Sequence, residues 1–273
     1  MPEIIQLMFS QPFMVRALIV GCLVSLCAAV VGVSLVLKRY SMIGDGLSHV
    51  GFGIMTIAMV LGFSPLFVSI PVLILAAFLL LRLSSNAKVK GDSAIAIVSS
   101  SSLAIGVIAV SLSTGMNTDV SSFLFGSVLA MSASDVYISM GVAIVVLILY
   151  VIFYNRIFSI TFDEDFSKAT GIRVGFYNLL LAFLTALIIV VGMRMMGAML
   201  ISSLIIFPAL TSMQVFGSFR SVILSSVILS VLCFVSGLVI SFIWPVPTGA
   251  TVVCIHLFLF LCFSLLAFIK RRW

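Results

Sequence analysis

Stretches of about 20 mostly apolar residues follow one another along almost the whole chain, each long enough to cross the hydrocarbon core of a bilayer. About nine such stretches are legible by this rule, near 16–37, 42–62, 65–83, 93–113, 135–154, 174–193, 196–215, 220–243 and 250–269. Of 273 residues, 63% are hydrophobic and 8% charged. No soluble core of this length could hide so much apolar surface, so lipid must be the solvent for much of it. The chain therefore reads as an all-α membrane protein, a polytopic bundle of eight or nine transmembrane helices. Residues 1–273 are expected to form a single transmembrane domain. The segment 3–12 is too short to span and is expected along the interface. The N-terminus lacks the basic start and cleavage site of a signal peptide, so the first span is expected to serve as its own insertion signal.

Charge tests this map. If 38–41, 82–92, 155–173, 215–220 and 270–273 lie on one side, that side holds Lys38, Arg39, Arg82, Lys88, Lys90, Arg156, Lys168, Arg173, Arg220, Lys270, Arg271 and Arg272. Of the 14 basic residues, only Arg16 and Arg194 fall elsewhere. The positive-inside rule makes that side cytoplasmic, with the N-terminus outside and the C-terminus inside. Trp244 and Trp273 then sit at opposite boundaries, as interfacial anchors do. The net charge of +6 decorates cytoplasmic loops and does not indicate nucleic-acid binding. Cys22, Cys27, Cys233, Cys254 and Cys262 all lie in apolar stretches with no CxxC pair, and read as buried small hydrophobes. No GxxxxGK[ST] loop occurs, so the chain is not expected to bind and hydrolyse ATP in that way.

Charges inside spans are expensive in hydrocarbon and mark function by default. Asp45 and His49, in Ser41-Met-Ile-Gly-Asp-Gly-Leu-Ser-His-Val50, are four apart and share a helix face. A carboxylate and an imidazole one turn apart can hold a divalent cation, a donor set suited to Zn²⁺ or Mn²⁺. The competing reading is an Asp–His hydrogen bond that only holds two helices together. Gly44, Gly46, Ser48, Gly51 and Gly53 would let another helix approach closely. If that small-residue face lay on a twofold axis, two copies could bring two Asp45 and two His49 to one ion.

A second feature lies in the longest cytoplasmic loop, Thr161-Phe-Asp-Glu-Asp-Phe-Ser-Lys-Ala-Thr-Gly171. Thr161 and Glu164 fit a capping box. Gly171 fits the left-handed position past a helix end. Phe162, Phe166 and Ala169 recur at helical spacing. The segment is expected to be one short amphipathic helix on the cytoplasmic surface, able to dock on a partner or to pack on the protein's own spans.

Other candidates are weaker. His256 in the last span reads as a core histidine satisfied by a neighbouring backbone group. Met193, Met195, Met196 and Met199 surround Arg194; thioethers suit copper(I), but methionine is more often a gap filler. Asp119 and Asp135 are expected in solvent outside. Pro208 is expected to break or kink its span.

These residues together resemble the permeases of the zinc and manganese ABC importers. The resemblance rests on Lys38-Arg-Tyr-Ser-Met-Ile-Gly-Asp-Gly-Leu-Ser-His49, Ser122-Phe-Leu-Phe-Gly-Ser127, Phe162 to Gly171, Gly197 to Pro208 and Pro247-Thr-Gly-Ala-Thr251, in the family's order and over nearly the whole chain. The family often continues His-Ala-Val-Leu-Pro-Gly; here His49-Val-Gly-Phe-Gly53 stands instead, without the proline and its bend. His256 does not match a family position. The resemblance implies a dimeric plasma-membrane permease working with ATP-binding-cassette subunits and an extracellular solute-binding protein. It places the intramembrane metal residues on Asp45 and His49. It places the coupling helix on Thr161–Gly171, with Phe162, Asp163, Glu164, Phe166, Ala169 and Gly171 facing the ATPase. It implies no catalytic residue and no resident cofactor, the zinc or manganese being cargo. A stand-alone transporter using Asp45 and His49 as a proton relay is the alternative, and a membrane scaffold, which would tolerate loss of Asp45, a third class.

Overall fold

The structure is a computed structural model describing residues 10–84, 91–112, 133–244 and 246–272. The described residues form eleven helices and no strand. They are α1 (Pro12–Leu37), α2 (Ser41–Val60), α3 (Pro65–Ser84), α4 (Gly91–Leu112), α5 (Ala133–Ile152), α6 (Tyr154–Phe162), α7 (Glu164–Ala169), α8 (Val174–Met196), α9 (Ala198–Met213), α10 (Phe219–Ile243) and α11 (Thr248–Arg272). Most of the expected interfacial segment 3–12, Lys88, Lys90, Asp119, the Ser122–Ser127 stretch and Trp273 lie outside the described residues, as do the side chains of Asp135, Arg271 and Arg272.

Six helices, α1, α2, α4, α8, α10 and α11, are long and apolar enough to cross a bilayer. The pair α5–α6 is apolar as a unit but bent by 69°. The apolar parts of α3 and α9 are shorter, Phe67–Arg82 and Ala198–Met213. The expected all-α bundle is therefore the fold observed, with its spans close to the expected limits. Two local expectations differ. Residues 155–160 were expected in a loop and instead form the body of α6; its buried Ile157, Ile160 and Thr161 give it an inner face to pack. Pro208 does not break its span. It lies inside α9, which runs on to Met213, and its carbonyl accepts a hydrogen bond from Ser226 Oγ at 3.1 Å. Proline is tolerated inside membrane helices, and the Ser226 bond ties α10 to this turn of α9.

α1 runs through the middle of the bundle, against α9, α10, α5 and α8. Polar ties cross it: Ser34 Oγ and Tyr150 OH are 2.9 Å apart, and Ser230 Oγ donates to the Ser25 carbonyl at 3.0 Å. α2 is packed most closely against α4, and also meets α3, α9 and α8. The α2–α4 contact depends on missing side chains. A Cβ on Gly53 would stand 2.6 Å from the backbone carbonyl oxygen of Ser102, and one on Gly106 would stand 2.8 Å from the Phe52 ring. In lipid, helix association rests on such close packing because no hydrophobic force separates helix from solvent.

Candidate functional site

α2 carries the expected ionisable pair near its first turns. Asp45 and His49 lie one turn apart, with His49 Nε2 3.7 Å from Asp45 Oδ2. That is too long for a hydrogen bond. Both groups also belong to one helix, so their pairing cannot hold two helices together. His49 Nδ1 is buried and has no hydrogen-bond partner among the described residues. The side chains are 41% exposed for Asp45 and 24% for His49.

The rest of α2 explains why this face is the open one in its first turns. Its small residues are taken up inside the protomer. A Cβ on Gly44 would meet Ile205 of α9, one on Gly46 Ile95 of α4, one on Gly51 Met193 of α8, and one on Gly53 Ser102 of α4. The hydroxyls of Ser48 and Ser202, 2.9 Å apart, pin α2 to α9 beside the pair, while Ser48 Oγ also donates to the Asp45 carbonyl at 2.7 Å. The small-residue face is thus not available for a second copy. What α2 leaves uncovered here is the stripe of Met42, Asp45 and His49. One carboxylate and one imidazole are too few ligands for a closed divalent site. Among the described residues no cluster of three or more His, Cys, Asp or Glu gathers elsewhere.

The candidate at 161–171 is two helices, not one. α6 continues through Thr161, whose Oγ1 donates to the Ile157 carbonyl at 2.7 Å. The capping box therefore does not form. Asp163 breaks the chain in an extended conformation and caps α7 itself, its Oδ1 accepting from Phe166 N at 2.8 Å. Glu164 turns away to Lys38 instead of reaching back to the cap. At the other end the expected left-handed glycine is present: Gly171 has φ +83°. Gly171 N donates to the Lys168 carbonyl and Ile172 N to the Ser167 carbonyl, closing the helix end.

This α6–α7 hairpin has an inner and an outer face. Ser167 is fully buried, its Oγ 2.8 Å from Ser159 Oγ. Phe162 and Phe166 are 59% and 60% exposed. Phe162 leans on Phe158 and Phe219, and Asp163, Ala169 and Gly171 are exposed beside them. Lys38 joins the hairpin to the bundle through an ion pair of 2.6 Å with Glu164. Burial opposes the charge on both partners, and the outcome differs between them. It lowers the pKa of Lys38, nearly enclosed, although Glu164 pulls it upward. For Glu164, burial raises the pKa, but Lys38 and Asn178 together outweigh it and hold the carboxyl below the usual glutamate range. The Glu164 side of the contact is thus intact at neutral pH, and is lost only as pH falls through that lowered value.

The weaker candidates separate. Met193, Met195 and Met196 are buried and Met199 is 43% exposed; Met193 fills the notch above Gly51, as a gap filler does. His256 is buried and stacks on Phe207 with ring centres 6.2 Å apart. Its Nε2 has no partner among the described residues, so the expected backbone hydrogen bond is not made there. Sequence reasoning missed Lys38 as anything but a cytoplasmic charge, and missed Asn178 altogether.

Repeated apolar spans, with an ionisable pair left on the open side of one of them, define a multi-pass membrane permease. Comparison with known proteins makes the assignment specific. The chain belongs to the ABC 3 transport family, whose profile matches residues 10–267. It is 32% identical over 274 residues to the manganese import system permease protein ScaB of Streptococcus gordonii, covering 99% of this chain and 98% of that protein. It is 31% identical over 245 residues to the high-affinity zinc uptake system membrane protein ZnuB of Haemophilus influenzae, covering 89% of this chain and 94% of that one. Among solved structures, PsaBC from Streptococcus pneumoniae in complex with Fab matches with a TM-score of 0.86 at 33% identity, over 96% of this chain and 94% of that chain.

Proposed function

We propose that this chain is the translocation subunit of an ATP-driven importer of divalent metal ions, zinc or manganese. It works as a homodimer with two ATP-binding-cassette subunits and receives its ion from an extracellular solute-binding protein. The observation that carries this reading is the Asp45–His49 pair on the uncovered stripe of α2. A carboxylate and an imidazole facing hydrocarbon would be costly, so a polar surface must cover them. A second copy related by a twofold axis supplies one, and doubles the ligands to two carboxylates and two imidazoles. Similarity to a manganese permease and to a zinc permease supports the cargo class, and the mixed oxygen and nitrogen donors suit both metals. The chain itself catalyses no covalent step. The α6–α7 hairpin, with Phe162, Asp163, Glu164, Phe166, Ala169 and Gly171, is the element that couples to the ATPase.

The protein sits in the plasma membrane with its N-terminus outside and its C-terminus in the cytoplasm. Lys38 bonds to Glu164, Arg156 and Arg173 line one cleft with Thr170, and Arg220 lies over the Tyr154 ring. Basic residues from three of the five segments thus gather at one end, which supports the positive-inside orientation. A single cysteine introduced at position 168 is expected to resist a membrane-impermeant reagent in intact cells, while one at position 247 reacts. Labelling at 168 would invert the map and remove the hairpin from the ATPase side.

Proteoliposomes test the function itself. Metal uptake is expected only when the permease is reconstituted with its ATPase and ATP is supplied. Uptake by the permease alone, driven by an ion gradient, would establish a secondary transporter instead.

A further inference from the structure

The ammonium of Lys38 stands where four elements meet. Its side chain is only 4% exposed. Nζ donates to Glu164 Oε1 at 2.6 Å, to Asn178 Oδ1 at 2.7 Å and to the Ile160 carbonyl at 3.2 Å. A lysine ammonium has three N–H donors and no acceptor, so all three are used. Each acceptor belongs to a different helix. The Ile160 carbonyl lies in the last turn of α6, where carbonyls lack intrahelical donors. Glu164 opens α7. Asn178 lies one turn into α8 and also donates to Glu164 Oε1, at 3.2 Å.

The lysine itself belongs to the joint between α1 and α2. It is the C-cap of α1, and Tyr40, whose ring centre is 5.8 Å from Nζ, is the N-cap of α2. Asp45 follows one turn into that helix. Tyr40 faces Phe162 and Glu164 across an open cleft that Lys38 also lines. The lysine bridges this cleft. Stability alone gives little reason for the arrangement, since a buried ion pair is often no better than apolar residues of the same volume. A charged, fully saturated joint between two elements is, however, a means of fixing their register.

We propose that Lys38 is a positioning residue that transmits movement of the α6–α7 hairpin to the start of α2, and so to Asp45 and His49. This rests on the reading of the hairpin as the ATPase-docking element. Movement of the hairpin carries the Glu164 and Ile160 acceptors, and the saturated ammonium ties the α1–α2 joint to them. Asn178 holds the same charge against α8, which gives the movement a fixed point.

The test is Lys38→Met in the full chain, assembled with its ATPase in proteoliposomes, with uptake and hydrolysis measured on the same vesicles. The thioether keeps the length and removes the charge and all three donors. The complex is expected to co-purify and hydrolysis to stay within about twofold, while ions moved per ATP fall at least ~5-fold, the size of an ordinary coupling interaction. Metal binding to the resting protein is expected to stay unchanged, because Asp45 and His49 are untouched. Unaltered ions per ATP would overturn the proposal. So would uptake and hydrolysis falling in proportion as the complex is lost, which is what a purely structural lysine would give. Should Lys38→Met fail to fold, Lys38→Gln removes the charge and the saturated set of three donors while leaving the enclosed acceptors a polar partner, and is read in the same way. Phe166→Asp serves as the control. If it leaves ATPase docking and uptake intact, the docking reading fails and the tie with it. If it disrupts docking while Lys38→Met couples normally, only the tie is lost.

Discussion

Alanine at Asp45, or at His49, is expected to reduce metal uptake at least ~100-fold while leaving dimer assembly and ATPase docking intact. The size follows from ligand arithmetic. Loss of an outer partner that merely orients a metal ligand costs about 10–100-fold in affinity or activity. In a shared site each substitution removes two direct ligands at once, one from each copy. The Asp45 change also removes the negative charge that offsets a divalent cation in a low-dielectric setting. Folding should survive, because both side chains lie on the open stripe of α2 and not in its glycine contacts. Uptake by purified dimers measures the first effect, and metal analysis of the same dimers measures stoichiometry. One ion per dimer is expected. Two ions per dimer, with each Asp45 walled off from its twin, would replace the shared site with two separate ones.

Phe166→Asp is expected to release the ATPase. Phe166 stands 60% exposed on α7, which the proposed topology puts outside the membrane, so the change should leave insertion and folding untouched. In a docked complex it would place an unpaired carboxylate against an apolar groove. An uncompensated charge at an interface costs about 3 kcal/mol or more, which is roughly a hundredfold in affinity. Co-purification should fail, or hydrolysis should continue without uptake. Normal ATP-driven uptake by this variant would exclude the hairpin from the mechanism and leave its exposed phenylalanines as lipid-facing anchors.

Much of this architecture is open to reading from hydropathy because lipid imposes a one-dimensional rule. Each crossing must satisfy its own backbone hydrogen bonds over a fixed thickness, so span length and apolar content are written locally. α10 begins one residue before its expected start, and α8 begins at the expected residue 174. The reading failed where packing, and not lipid, decides. α6 is nine residues long and polar on one side, so nothing in its apolar content marks it as more than loop. It is a helix because Ile157 and Ile160 have a bundle to pack against. The capping box failed for a related reason: with α6 running on through Thr161, the cap fell to Asp163, and Glu164 was drawn to a cation 126 residues away.

The candidate site divides along the same line. That Asp45 and His49 share a face follows from their spacing, because helical geometry is local. That this face is the open one does not. It depends on Gly44, Gly46, Gly51 and Gly53 being matched by Ile205, Ile95, Met193 and Ser102, residues scattered over three other helices. Lys38 is the sharper case. As a sequence position it is one basic residue at the end of an apolar run, indistinguishable from Arg39 beside it. Its enclosure, and its three acceptors on α6, α7 and α8, exist only once the bundle has closed, because desolvation and hydrogen-bond saturation belong to the assembled neighbourhood and not to the residue.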